Sequence, residues 1–209
     1  MQITTSSFTH GQRIPDAYVF CRPDADTHCT FSDNRNPALA WSDVPAEAKS
    51  LVLICVDPDV PSVGDDVNQE GRTVPADLPR CDFYHWVMVD IPTACQGIDE
   101  AAASEGVTAK GKTQPGGPAG ARHGINDYTN WFAGDDDMGG DYLGYDGPCP
   151  PWNDELLHHY HFKLFALDVE RCDVGERFTG GDVMEAIAGH VIAECEVVGT
   201  YTLNASMID

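Results

Sequence analysis

Lysine is scarce. The chain of 209 residues has twelve basic side chains, only four of them Lys, against thirty-four acidic ones, and carries a formal net charge of −22. Phosphate-backbone binding needs clustered Lys and Arg, so nucleic acid is excluded as a partner, and an anionic membrane surface is disfavoured for the same reason. The acidity fits solubility in concentrated salt and equally fits ordinary acidic solubility. No apolar run reaches the about 18 residues of a transmembrane helix, which excludes stable membrane insertion by that route. Met1 to His10 has neither a basic start nor an apolar core, so no signal peptide is expected. Eight cysteines are present, but no Cys-x-x-Cys pair, which argues against a zinc knuckle or a thioredoxin-like site. With no export signal the expectation is reduced thiols and a cytoplasmic location, Cys21 and Cys29 being the pair that could close in an exported protein. A Gly-x-Ser-x-Gly elbow and a His-Glu-x-x-His pair are both missing. The acidic run from Gly134 to Met138 lacks the spaced oxygen ligands of an EF-hand loop. No metal or cofactor is therefore expected, and no internal repeat is visible.

With 42% hydrophobic residues, the chain can form one domain over residues 1–209. Its most informative stretch is Asp141 to Leu167. Gly144 to Asp154 is built from Gly, Pro, Asn and Asp, and Pro148, Pro150 and Pro151 stiffen it into a turn. His158 to Leu167 reads as a strand. Alternation puts His158, Tyr160, Phe162, Leu164 and Ala166 on one face and His159, His161, Lys163, Phe165 and Leu167 on the other. His158, His159 and His161 are thereby split between two faces, against a metal cluster. Ser50 to Val56 is apolar on both faces and reads as a central strand, running into Asp57-Pro58-Asp59-Val60-Pro61, which alone reads as a capped turn. Phe83 to Ile91 is a further strand, with Phe83, His85, Val87 and Val89 expected on one face and Tyr84, Trp86 and Met88 on the other. Thr93 to His123 reads as a long surface loop, Gly181 to His190 as the one clear helix, and Ala193 to Leu203 as a closing strand. The pattern is mainly β.

Five motifs in order give this organisation a likeness: Asp57-Pro58-Asp59-Val60-Pro61; Phe83 to Pro92, with His85 inside it; Gly124-Ile125-Asn126-Asp127-Tyr128; Tyr145-Asp146-Gly147-Pro148-Cys149-Pro150-Pro151; and His158-His159-Tyr160. Together the chain resembles the phosphatidylethanolamine-binding proteins, in their bacterial and archaeal YbhB/YbcL-like (Raf kinase inhibitor-like) branch, from about residue 38 to 203. The resemblance implies a large antiparallel sheet packed on a smaller one, few short helices including one near the C-terminus, and a small anion pocket at one end of the sheet. Carried over by position, the pocket residues are Asp57, Pro61, His85, Gly147, Pro150, His158 and Tyr160. The chain departs at His159, where many relatives have Arg, and in a long insert between Pro61 and His85.

Such a pocket would set Asp57 beside an imidazole and favour its cationic form, with Tyr160 and the Gly147 to Cys149 backbone as further donors. The implied function is a binding module, not an enzyme, for a small phosphate-bearing ligand or a phosphorylated partner. It would modulate a kinase or other phospho-signalling partner, and the resemblance is compatible with a homodimer. The alternative is a hydrolase using Asp57, His85 and His158.

Overall fold

The computed structural model describes residues 1–208. In chain order the strands and α-helices are β1 (Gln2–Thr5), β2 (Cys21–Asp24), β3 (His28–Phe31), β4 (Leu39–Ser42), β5 (Ser50–Pro61), β6 (Arg80–Ile91), β7 (Gly97–Ile98), β8 (Arg122–His123), α1 (Tyr128–Trp131), β9 (His158–Leu167), α2 (Gly180–Ala186) and β10 (Val191–Tyr201). The large sheet is antiparallel with strand order β10-β9-β5-β6-β8. A smaller sheet has order β1-β4-β7, and β2 pairs with β3 as a separate hairpin.

β5 sits at the centre of the large sheet and is buried on both faces, as its unbroken apolar run requires. On one face Leu51, Leu53 and Cys55 join Phe162, Leu164 and Ala166 of β9 in a core shared with Ile3, Leu39, Trp41 and Ile98 of the small sheet. On the other, Val52, Ile54 and Val56 pack with Phe165 and Leu167 under Phe178, Val183 and Ile187 around α2. The faces of β9 follow the alternation of its sequence. Helix α2 is shorter than the expected span to His190. Thr179 and Asp182 cap its start reciprocally, and Gly189 turns the chain at φ 84° just after it.

Two strand irregularities differ from the sequence expectation, and both lie at the same end of the sheet. In β6, Cys55 faces Trp86 but Val56 faces Tyr84, so His85 is an extra, unpaired residue in a bulge. The bulge breaks the alternation expected for Phe83 to Ile91. Trp86 and Met88 lie in the core shared with the small sheet, while Val87 and Val89 lie under α2. His85 consequently stands with Phe83, not with Val87 and Val89. In β5 the expected turn after Val56 is instead more strand, out to Pro61. Pairing with β9 ends at Val56, so beyond it β5 is an edge, where Pro58 and Pro61 leave no ladder hydrogen bond unmade. A second irregularity between Asp57 and Val60 redirects this stretch.

The loop from Pro148 to Pro151 folds back on the start of β2: the amides of Phe20 and Cys21 both donate to the Pro148 carbonyl, at 2.9 and 3.1 Å. This closeness carries a disulfide between Cys21 and Cys149, 128 residues apart in sequence, which corrects the expectation of reduced thiols at these two positions; Cys29, the partner considered for Cys21 in an exported chain, is free. No helix among the described residues is long and apolar enough to cross a membrane.

Candidate functional site

The two strand irregularities bring Asp57 and His85 together with the start of β9. His158 is fully buried and donates from both ring nitrogens, Nδ1 to Asp57 Oδ2 at 2.7 Å and Nε2 to Asp154 Oδ2 at 3.2 Å. Both acceptors are carboxylates, so the ring is cationic. Burial alone would favour the neutral ring, but the hydrogen bonds and charges of Asp154 and Asp57 outweigh it and raise the pKa to about 9. Asp154 is held in turn by a two-pronged contact from Arg80, Nη1 at 2.6 Å and Nη2 at 3.1 Å. Burial pushes its carboxyl up, and the bonds from His158, Arg80 and the Leu156 amide bring it below its ordinary value. The second oxygen of Asp57 accepts the Asp59 amide at 2.8 Å. Arg80, Asp154, His158 and Asp57 form one buried, charge-balanced chain.

His85 belongs to a different network. Its Nδ1–H donates to the Asp146 carbonyl at 2.7 Å, and a carbonyl can only accept, so in the neutral ring Nε2 carries the lone pair. Burial holds this histidine below its ordinary pKa. The nearby Asp57 charge and the Asp146 carbonyl oppose that, and the His158 cation adds to it. The Asp146 side chain is buried beneath, bound by Asn34 and Asn126 at 2.8 Å each and by Lys112 Nζ at 2.6 Å. Lys112 comes from the Thr93 to His123 segment, so that loop contributes a supporting cation to the site.

His85 and Tyr160 face one another edge-to-face with ring centres 5.1 Å apart, and both line a cavity of about 290 Å³. The Tyr160 hydroxyl is buried and has no hydrogen-bond partner. The Asp57 charge is near enough to add to the effect of burial in raising the phenol pKa, but Asp57 does not meet the phenol in hydrogen-bond geometry. The rest of the wall is apolar, supplied by Phe20, Cys21 and Phe31 from the first hairpin, Val60, Pro61 and Phe83 from the strand ends, the disulfide partner Cys149 with Pro150 and Pro151, and Tyr128, Trp131 and Phe132 around α1. The insert between Pro61 and His85 reaches the rim: Gly64, Val67 and Asn68 join the lining, and Asn68 is tied to the proline loop through Asn153 and the Trp152 amide. A larger, more open cleft of about 710 Å³ lies by His28, Trp152 and Asn204 and contains none of the expected residues; it lacks a buried unpaired group.

Of the residues expected from the sequence, Asp57, Pro61, His85, Pro150 and Tyr160 line the cavity. Gly147 and His158 do not. The Gly147 amide is taken by Asn34 Oδ1 at 2.8 Å, and a Cβ there would lie 2.3 Å from the Tyr18 carbonyl, so this glycine serves a close backbone crossing behind the wall. His158 has no nitrogen left to offer a ligand. The expected cationic pocket histidine is thus displaced: the charge sits on His158 and is spent on two carboxylates, while His85, which meets the cavity, is disposed to be neutral. Among the described residues no Lys or Arg lines the cavity. His159 pairs with Asp59 at 2.8 Å. The aromatic wall from the first hairpin and α1 was not foreseen, although Tyr128 and Asp146 both stand in quoted motifs; periodicity places a residue on a face but does not say which distant loop will cover it.

Comparison with known proteins agrees with this architecture. The phosphatidylethanolamine-binding protein family profile matches residues 4–202. A UPF0098 protein of Methanothermobacter thermautotrophicus is 33% identical over 96% of this chain and 98% of its own, and YbhB of Escherichia coli is 29% identical over 97% and 100%. Among solved structures, E. coli YbcL superposes with a TM-score of 0.67 at 26% identity, covering 96% of this chain and 97% of that one. The Chlamydia trachomatis homologue CT736 gives 0.61 at 30%, covering 96% and 95%.

Proposed function

Because the chain belongs to the phosphatidylethanolamine-binding protein family, in its YbhB/YbcL-like branch, we propose that it is a binding module that takes the phosphate of a small ligand into the Tyr160–His85 cavity together with one proton. The observation that carries this reading is the Tyr160 hydroxyl, a buried donor with no partner, lining the same cavity as a histidine whose Nδ1 is pinned. A phosphate oxygen satisfies the phenol. A protonated phosphate oxygen donates to His85 Nε2, or equivalently the proton resides on the ring and is donated back; both descriptions carry the same proton count. With no Lys or Arg in the wall, a dianion entering without a proton would stay uncompensated. By holding a phosphate group the chain would modulate a kinase or another phospho-signalling partner.

Binding is favoured over hydrolysis by the bond inventory. Two of the three side chains a hydrolase would use, Asp57 and His158, already saturate one another, and His85 is backed by a carbonyl and not by a carboxylate that would stabilise an imidazolium.

The test is calorimetric titration with phosphate and phosphoethanolamine near pH 6, repeated in buffers of different ionisation heat. Saturable binding is expected, with uptake of about half a proton for phosphoethanolamine at pH 6, rising toward one above the second phosphate pKa. Above the second pKa of a phosphate monoester, about 6, the phosphoethanolamine affinity should fall, approaching tenfold per pH unit, and the inorganic phosphate affinity should begin to fall at higher pH. Tyr160→Phe and His85→Gln should each weaken binding by about tenfold or more. Affinity that stays flat from pH 5.5 to 8, or is indifferent to both variants, would remove the proposal.

A further inference from the structure

The cavity floor is polar, but the way in is aromatic. Ring contacts run without a break from the surface to the floor. Phe31 packs edge-on against Phe20 with centres 5.5 Å apart, Phe20 stacks on Tyr128 at 4.4 Å, and Tyr128 meets His85 edge-to-face at 5.6 Å. Phe83 and Phe132 flank Tyr128 at 5.2 and 5.8 Å. At the mouth, Phe31 is 55% and Trp131 53% exposed, the two most exposed large apolar side chains of the described residues. Large aromatic surface left in water beside a cavity marks a contact face.

We infer that the ligand of this site is a soluble phosphate monoester of an aromatic alcohol, its phosphate at Tyr160 and His85 and its ring among Phe31, Trp131, Phe20 and Tyr128. The inference rests on the phosphate reading above and adds the body of the ligand to it. Three observations select this class. The cavity, about 290 Å³, is roughly ten times the ~30 Å³ share of one liquid water, so it holds more than a phosphate group alone. Its wall beyond the floor has no cation and offers ring faces and edges, which favour a flat π-bearing body over a polar one. The chain's charge of −22 opposes approach to an anionic bilayer, so a phospholipid held in such a membrane is a poorer match than a free ester.

The test compares phenyl phosphate, hexyl phosphate, phosphoethanolamine and inorganic phosphate by calorimetry at pH 6, on the native chain and on Trp131→Ala and Phe31→Ala. Both positions are more than half exposed, so the variants should fold. Phenyl phosphate is expected to bind about tenfold or more tighter than inorganic phosphate and tighter than hexyl phosphate. Each variant should lose most of that advantage, its affinity for phenyl phosphate falling toward its affinity for inorganic phosphate. Equal affinity for hexyl and phenyl phosphate would overturn the aromatic assignment in favour of an aliphatic, lipid-like body. Phenyl phosphate no tighter than inorganic phosphate would overturn the inference and leave the phosphate reading standing. Binding of none of the four would remove both.

Discussion

His158→Ala should destabilise the protein by about 3–5 kcal/mol, the cost of breaking a buried ion pair from one side, and lower its Tm by about 10 °C or more. The ring sits between two buried carboxylates. Removing it leaves Asp154 with Arg80 but leaves Asp57 with only the Asp59 amide. Most of the loss is therefore an uncompensated negative charge and not a cavity. A second substitution separates the two: Asp57→Asn on the His158→Ala background should restore part of the stability, whereas Asp57→Asn on the native chain should cost. A loss below about 1 kcal/mol, the range of surface pairs, would show that the pair is solvated and that His158 is a spacer.

The same ring gives the stability a pH signature. A pKa raised from about 6.5 unfolded to about 9 folded corresponds to about 3 kcal/mol. Because the folded value is the higher, that contribution is complete below pH 6.5 and disappears as pH rises through 9. Two other histidines, the buried His85 and the half-buried His123, act with the opposite sign. Burial lowers His85 and takes His123, whose ring nitrogens face Trp86 and the Gly116 carbonyl, to about 4, so both oppose folding as pH falls below 6.5. Stability should thus be greatest near pH 6.5 and fall on either side. Denaturant unfolding between pH 5 and 9.5 measures this. In His158→Ala the decline above pH 6.5 should flatten and the acid limb should persist; an unchanged alkaline limb would assign the proton to another group.

Period-two alternation carried much of the architecture. The two faces of β9 and the double burial of β5 follow from which residues recur at i, i+2 and i+4, because a strand burying one face cannot slip by one residue without exposing its core set. Reading failed where the backbone leaves that period. The bulge at His85 inserts one residue into β6, and from Trp86 to Val89 each side chain lands opposite to its simple alternation, until a further register shift near Asp90 restores it at Ile91. Nothing in Tyr84-His85-Trp86 announces it. The motifs placed Asp57, His85 and Tyr160 around one cavity, but they could not tell which histidine would be charged. That depends on two carboxylates converging on His158, and Asp154 lies in a stretch that reads only as turn. Nor could they show that Asn34, Asn126 and Lys112, from three separate loops, would hold Asp146 and through its carbonyl fix the His85 tautomer.

Reduction of Cys21–Cys149 should be the other large effect, and it should reach the cavity. The bond closes a loop of 128 residues. On the loop-entropy account, closure of a loop of that length restricts the unfolded chain by up to about 5 kcal/mol, and loss of a native disulfide commonly costs about 2–5 kcal/mol. For a chain of this size that is a fall in Tm of about 10 °C. Both cysteines belong to the cavity wall, joining the start of β2, next to Phe20 and paired with Phe31 of β3, to the proline loop. The amides of Phe20 and Cys21 also bind the Pro148 carbonyl, a link that does not need the sulfurs, so on reduction the wall should loosen without unfolding, and phosphate affinity should drop several-fold. Freshly denatured protein should titrate six thiols before reduction, the six that are unbridged, and all eight afterwards. A Cys21→Ser, Cys149→Ser variant should match the reduced protein in Tm and affinity and should no longer respond to reductant. Eight thiols at the outset would mean that the bond is not formed in the isolated protein. Six thiols with an unchanged affinity on reduction would mean that the hydrogen bonds to Pro148 hold the wall alone.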